Sequence, residues 1–168
     1  MLLKHLYARL EKSSEFKNFQ AQNQDAFLCA GFFIMNFKTQ VFEYSLDYRN
    51  DKQIFTFKIP EREEEQVVMQ TEEIIQVENK KPLEKITLDV QVDIEDLKEI
   101  IEKALENNSI KNKLEEFIAV LQKIDSSLVW HLTCICEGFT ILNVIINPET
   151  GAIEKFEKKN LLDFVKKP

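Results

Sequence analysis

The stretch HLTCIC places His131, Cys134 and Cys136 within six residues. Two chemistries use such a set: metal coordination, and a thiolate nucleophile activated by an imidazole. The residues around it are apolar and β-branched, so the stretch reads as a strand, in which successive side chains point to opposite faces. Cys134 and Cys136 then share a side with Trp130 and Leu132, and His131 faces away. A structural zinc needs four convergent ligands, and only Cys29 and the distant His5 remain to be recruited. Cys29 could meet His131 across strands, but no nucleophile turn or oxyanion hole accompanies the pair. The expectation is three core cysteines, with no metal, no cofactor and no catalytic residue. Trp130, amid apolar neighbours, reads as core too.

The remaining polar features are blander. Glu61, Glu63, Glu64 and Glu65 form an acidic run, and Glu72 and Glu73 an acidic pair; both read as solvated connections. Gly31, Gly138 and Gly151 lie too far apart to build a phosphate-binding loop. With 22 Lys and Arg against 29 Asp and Glu, the formal charge is -7. That balance disfavours nucleic acid and anionic membrane, which need a positive field, and leaves protein as the expected partner. Three cysteines cannot form a closed disulfide set, which suits a reducing compartment. Lys4, His5, Arg9 and Glu11 interrupt the leucines of the amino terminus, unlike a signal peptide, and no run reaches the ~18 apolar residues of a membrane span. A cytosolic location is the expectation.

The elements that must position these side chains follow from periodicity. Leu2, Leu3, Leu6, Tyr7 and Leu10 recur at helical spacing, and Ser13 or Ser14 caps a second short helix carrying Phe16 and Phe19. From Phe27 the period becomes two. AFLCAGFFIMN, VFEYSLDY and IFTFKI read as a three-strand antiparallel meander. QVVMQTEEIIQV reads as an edge strand and KITLDVQVD as an amphipathic strand with Ile86, Leu88, Val90 and Val92 inward. Asp93 caps a helix with the stripe Leu97, Ile100, Ile101, Ala104 and Leu105, and Ser109 caps another over Ile110 to Ile124. LVWHLTCICE, TILNVIIN and AIEKFEK form a second meander, and the tail NLLDFVKKP is a helical turn or an extended segment. In NPETG, Pro148 fixes φ at a turn's leading corner and Gly151 accepts a positive φ.

The fold class expected is α+β, with antiparallel meanders packed by helices in two related α-βββ halves. The halves divide at residues 1–82 and 83–168 and form one compact unit. The echo aligns the strand beginning at Phe27 with the one beginning near Leu128, which sets Phe57 opposite Phe156. The match of CAGF (Cys29 to Phe32) with CEGF (Cys136 to Phe139) is out of register with it and reads as chance.

From Ile86 to Lys158, the order strand, acidic lead, helix and meander ending in LNVIINPETGAIEKFE resembles the PepSY-type domain of peptidase propeptides. Val144 to Ile153 matches that family's closing motif, with Asn147 at its acidic position and Thr150-Gly151 in place. The resemblance implies a cystatin-like fold and a binding or inhibitory role, and its motif holds no catalytic residue. The chain departs from it in lacking an export signal and in the helix expected after Ser109.

Phe42, Tyr44, Leu46 and Tyr48 form an aromatic face that needs a cover. If helices cover only one side of the sheet, either the second set of helices or another chain covers the other, and a homodimer is the preferred arrangement. The function read from the sequence is thus non-enzymatic: a PepSY-like binding or inhibitory module. A self-assembling structural protein is the alternative, and a cysteine-dependent enzyme the third.

Overall fold

A computed structural model of the chain describes residues 1–75 and 81–160. Two short helices open it, α1 (Leu2–Lys12) and α2 (Ser14–Gln22). Ser13 makes the joint: its hydroxyl donates to the Leu10 carbonyl at 2.6 Å and accepts from the Phe16 amide at 3.2 Å. One side chain thus closes the first helix and caps the second. Leu3, Leu6 and Leu10 bury one face of α1, and Phe16 and Phe19 the corresponding face of α2.

Four antiparallel strands follow: β1 (Phe27–Asn36), β2 (Val41–Arg49), β3 (Gln53–Ile59) and β4 (Val68–Glu73). After α3 (Ile94–Asn107) come four more: β5 (Leu114–Ile124), β6 (Ser127–Cys136), β7 (Thr140–Ile146) and β8 (Ile153–Asn160). All eight join one sheet in the order β4-β3-β2-β1-β5-β6-β7-β8. The α+β class with one antiparallel sheet is therefore as expected. The halves meet along the pairing of β1 with β5, Gly31 opposite Leu121 through Asn36 opposite Glu116.

Two expectations fail, both in the second half. The helix expected from Ile110 to Ile124 is strand β5, and Ser109 caps nothing; it holds a positive φ of 56° after α3 ends. Leu114, Phe117, Ile118 and Leu121 do fit a helical stripe. Phe117, Ala119 and Leu121, all fully buried, fit a strand face equally well, with Ile118 and Val120 half-buried on the other side. A central strand is apolar on both faces, so its period is ambiguous, and two waiting partner strands decide the outcome.

KITLDVQVD is not the expected strand: it is irregular, bends at Leu88, Gln91 and Val92, and joins no ladder. The Ile86 amide donates to the Leu28 carbonyl at 2.9 Å, and the Gln91 and Val92 amides donate to the Pro148 carbonyl at 3.1 and 2.8 Å. The segment thus runs across the strand ends, from the start of β1 to the turn after β7. Ile86, Val90 and Val92 are buried as expected from their alternation. The edge strand is β4; Gln76 and Val77, and the tail from Leu161, lie outside the described residues.

NPETG joins β7 to β8. Asn147 Oδ1 accepts the amides of Glu149 and Thr150 at 2.9 and 3.2 Å, and the Gly151 amide donates to the Asn147 carbonyl at 2.8 Å. Gly151 sits at φ 75°, where a Cβ would be strained. The turn residues follow the logic read from sequence, and the Pro148 carbonyl adds a tertiary role.

Candidate functional site

All three helices lie on one face of the sheet. Phe16 and Phe19 pack against Tyr48, Phe55 and Phe57 with ring centroids 4.8–5.6 Å apart. Leu97 and Ile101 of α3 join the same core as Phe117, Trp130, Leu132 and Val144. The opposite face has no helix, and strand parity assigns its residues.

The aromatic face expected to bind a partner is the covered one. Tyr44, Leu46 and Tyr48 are exposed by only 8%, 0% and 7%. Phe42 is half-buried against Phe37 at 6.1 Å. This corrects the assignment of Phe42, Tyr44, Leu46 and Tyr48 as a partner surface. Their shared side was read correctly, but the chain's own helices and Phe37 supply the cover. Helices on the far side would have been needed to leave those rings free.

The uncovered face carries a second apolar set. Phe32 lies opposite Val120, Val120 opposite His131 and His131 opposite Ile145; one step along, Ile34, Ile118, Thr133 and Asn143 form the parallel row. Ile135 and Ile141 extend it. Phe32 is 38% exposed, and the aliphatic members are half-buried. The sequence signal for this set was β1, apolar on both sides from Phe27 to Met35.

At the β2–β3 end of the sheet a cavity of about 710 Å³ opens beside the connection from Pro60 to Val68. Phe32, Ser45, Asp47, Thr56 and Lys58 contribute from the strands; Pro60, Glu61, Arg62 and Glu65 contribute from the connection. Arg9 of α1 ties that connection down, its guanidinium donating to the carbonyls of Pro60 and, at 3.0 Å, Arg62. The acidic run is therefore partly a cavity wall as well as a solvated link.

Asp47 was read only as a polar alternation in VFEYSLDY. Its Oδ1 is shut off from solvent and meets no hydrogen-bond partner among the described residues. Burial raises its carboxyl above the usual range, the Thr56 hydroxyl works against that shift, and Glu72 adds to it. A raised carboxyl supports the fold fully only below the ordinary carboxylate range, and that support is lost as pH rises through the raised value. Asp47→Asn should therefore be more stable than the parent chain near neutral pH. In paired urea titrations the advantage should shrink toward about pH 4; a difference that grows on acidification would contradict this.

The HLTCIC group divides as parity demands. Cys134 and Cys136 are buried in the core, while His131 is half-buried on the uncovered face. Cys29 is buried at a β-bulge, its thiol 3.3 Å from the Asp47 carbonyl. Burial pushes the Cys29 thiol up to about 12, with the Asp47 charge adding and Arg49 opposing. Burial likewise raises Cys134 and Cys136. Since the thiolate is the nucleophile, all three should react slowly with iodoacetamide at neutral pH and quickly in urea. A thiol that reacts fast in the native protein would restore the cysteine-enzyme reading. Among the described residues no group of three or more His, Cys, Asp or Glu could hold a metal ion. No helix among them is long and apolar enough to cross a membrane.

These features define an α+β protein with one eight-stranded antiparallel sheet, helices on a single face and a cavity beside the connection after β3. No family model matches the chain, and no curated protein does either. Its fold is similar to the crystal structure of a "putative lipoprotein" from Clostridium difficile 630, with a TM-score of 0.56 at 15% identity, covering 86% of this chain and 90% of that one. The likeness is one of fold.

Proposed function

We propose that the chain is a non-enzymatic protein-binding module that seats a protein partner on the uncovered face of its sheet. The observation behind this reading is the apolar row from Phe32 through Val120 to Ile145 on a face that no helix covers. An antiparallel sheet with one face in water ordinarily turns polar residues outward. Here Ile34, Ile118, Val120, Ile135, Ile141 and Ile145 stand on the water side. An apolar strip rimmed by charge, such as Glu43 and Lys58 on one flank and Lys155 and Glu157 on the other, is the usual composition of a protein interface.

Two further features support the PepSY-type reading. The Asn147-to-Gly151 turn keeps the family's closing motif, and each half of the chain runs from helix into four consecutive antiparallel strands. The halves are then two related α-ββββ units joined edge to edge through β1 and β5, the second one strand longer than its periodicity indicated. The elevated thiols and the separation of His131 from Cys134 and Cys136 favour binding over catalysis.

The test is a photo-crosslinking residue at position 118, in the centre of the face, and the same residue at the exposed Glu102 of α3. A single heterologous protein crosslinked from position 118 and not from 102 supports the proposal. Crosslinks from 118 only to a second copy, with a doubled mass in light scattering, assign the face to a homodimer instead. No crosslink from 118 in native lysate would overturn the reading.

A further inference from the structure

The uncovered face is not apolar throughout. Within it stand His131 and Thr133 of β6 and Asn143 of β7, with Thr133 directly opposite Asn143 and His131 two residues along the same strand face. Their neighbours in sequence, Trp130, Leu132, Cys134, Leu142 and Val144, are buried on the helix side, so alternation turns all three toward water. Each is half-buried among apolar residues: His131 lies between Val120 and Ile145, and Thr133 beside Ile118. Among the described residues none of the three side chains has a hydrogen bond or an ion pair. None of their polar atoms is sealed off, so water serves them in the free chain.

A protein seated on this face would strip that water away. A polar group buried without a replacement partner weakens binding by about five- to a hundredfold. The Asn143 amide and the Thr133 hydroxyl both donate and accept, and a neutral imidazole does the same. The charges nearby on the same face are Glu116 of β5 and Lys155, Glu157 and Lys159 of β8, two of each sign. Each is already engaged: Asn36 donates to Glu116 at 2.6 Å, and Glu157 lies 3.7 Å from both β8 ammonium groups. A carboxylate or ammonium brought over the three residues would therefore be desolvated without a free counter-charge. We infer that His131, Thr133 and Asn143 select the partner, which presents to them an uncharged hydrogen-bonding side chain, a carboxamide or a hydroxyl, set within an apolar surface. The inference rests on the proposed partner seat and adds its specificity. The apolar row supplies contact area, and the three polar residues reject surfaces that leave them unpaired.

The test uses the photo-crosslinking residue at position 118, beside Thr133, in native lysate, with the crosslinked partner peptide sequenced by mass spectrometry. That peptide is expected to carry Asn, Gln, Ser or Thr among apolar residues at the contact. A contact peptide whose polar residues are all charged would overturn the inference, whatever the variants do. Thr133→Val and Asn143→Leu keep the approximate shapes and remove the hydrogen bonds; each should lower the yield of the crosslinked species at least about fivefold. Asn143→Asp, which adds a charge at the same place, should lower it as well. Circular dichroism first establishes that each variant is folded. Unchanged yield from Thr133→Val and Asn143→Leu, or a higher yield from Asn143→Asp, would overturn the inference and leave the partner seat standing. Crosslinks from the parent chain only to a second copy, or none at all, would overturn both together.

Discussion

Trp130→Ala should destabilise the protein by roughly 4 kcal/mol, the usual cost of truncating a fully buried tryptophan. Trp130 has no exposed surface, and its ring lies 5.7 Å from that of Phe33. Its Nε1 also donates to the Val92 carbonyl at 2.9 Å. Because the Val92 amide is held by the Pro148 carbonyl at 2.8 Å, the indole fastens the crossing segment to the sheet from above while the NPETG turn holds it from the end. Two losses therefore combine in the alanine variant: a large cavity, and a carbonyl left without its donor. Trp130→Phe separates them. It keeps most of the ring and removes the N–H, so its cost should be about 1–2 kcal/mol. The next residue, His131, faces the other way; His131→Ala should stay within about 1 kcal/mol. Urea unfolding followed by circular dichroism measures all three, since the chain has one tryptophan and its fluorescence disappears with the substitution. Equal costs for Trp130→Ala and Trp130→Phe would show that the hydrogen bond, and not the filled volume, dominates.

Asp93→Ala should cost about 3 kcal/mol, more than an ordinary helix cap. The reason is that one carboxylate serves two helices. Asp93 Oδ1 accepts the Ile94 amide of α3 at 2.7 Å, while the Asp93 amide donates to the Asp96 carboxylate at 2.8 Å. Both Asp93 oxygens also lie 3.3 Å from the Leu3 amide, at the first turn of α1, whose own N-cap Met1 supplies no side-chain bond. The negative charge thus sits at two positive helix ends at once, and it is only 3% exposed. Removing it leaves buried donors at both helices and loosens their mutual placement. Asp93→Asn retains one acceptor oxygen and should cost roughly half as much. The comparison with Asp96→Ala is informative: that change breaks the reciprocal bond of α3 alone and should cost about 1 kcal/mol. If Asp93→Ala were no worse than Asp96→Ala, the contact with α1 would contribute nothing.

Both predictions concern residues whose local role was legible and whose long-range role was not. Asp93 before an apolar helical stripe announces a cap, and Trp130 amid Val129 and Leu132 announces a core residue. That Asp93 also reaches Leu3, ninety positions away, depends on how α1 and α3 come to lie side by side. The same limit applies to the sites. Parity correctly separated His131 from Cys134 and Cys136, because alternation is a property of any strand. Asp47 looked like an ordinary solvent-facing acid, since nothing in VFEYSLDY states that one of its oxygens will be shut off from solvent.

The sequence by itself determined the elements whose periodicity has a single reading. These include the amphipathic α1 and α3, the clean alternations of β2 and β3, and the turn built from Asn147, Pro148 and Gly151, where backbone geometry is a local matter. The tertiary structure alone decided three things. It made Leu114–Ile124 a strand, because a segment whose apolar residues fit either period takes the form its neighbours can pair with, and β1 and β6 offered open ladders on both sides. It kept the crossing segment Ile86–Val92 out of the sheet, because its amides found Leu28 and Pro148 carbonyls first. And it chose which apolar face the helices would cover. Side-chain alternation states that two faces exist, but only the packing of Phe16, Phe19, Leu97 and Ile101 buries Tyr44, Leu46 and Tyr48 and leaves Phe32, Ile118 and Val120 toward water.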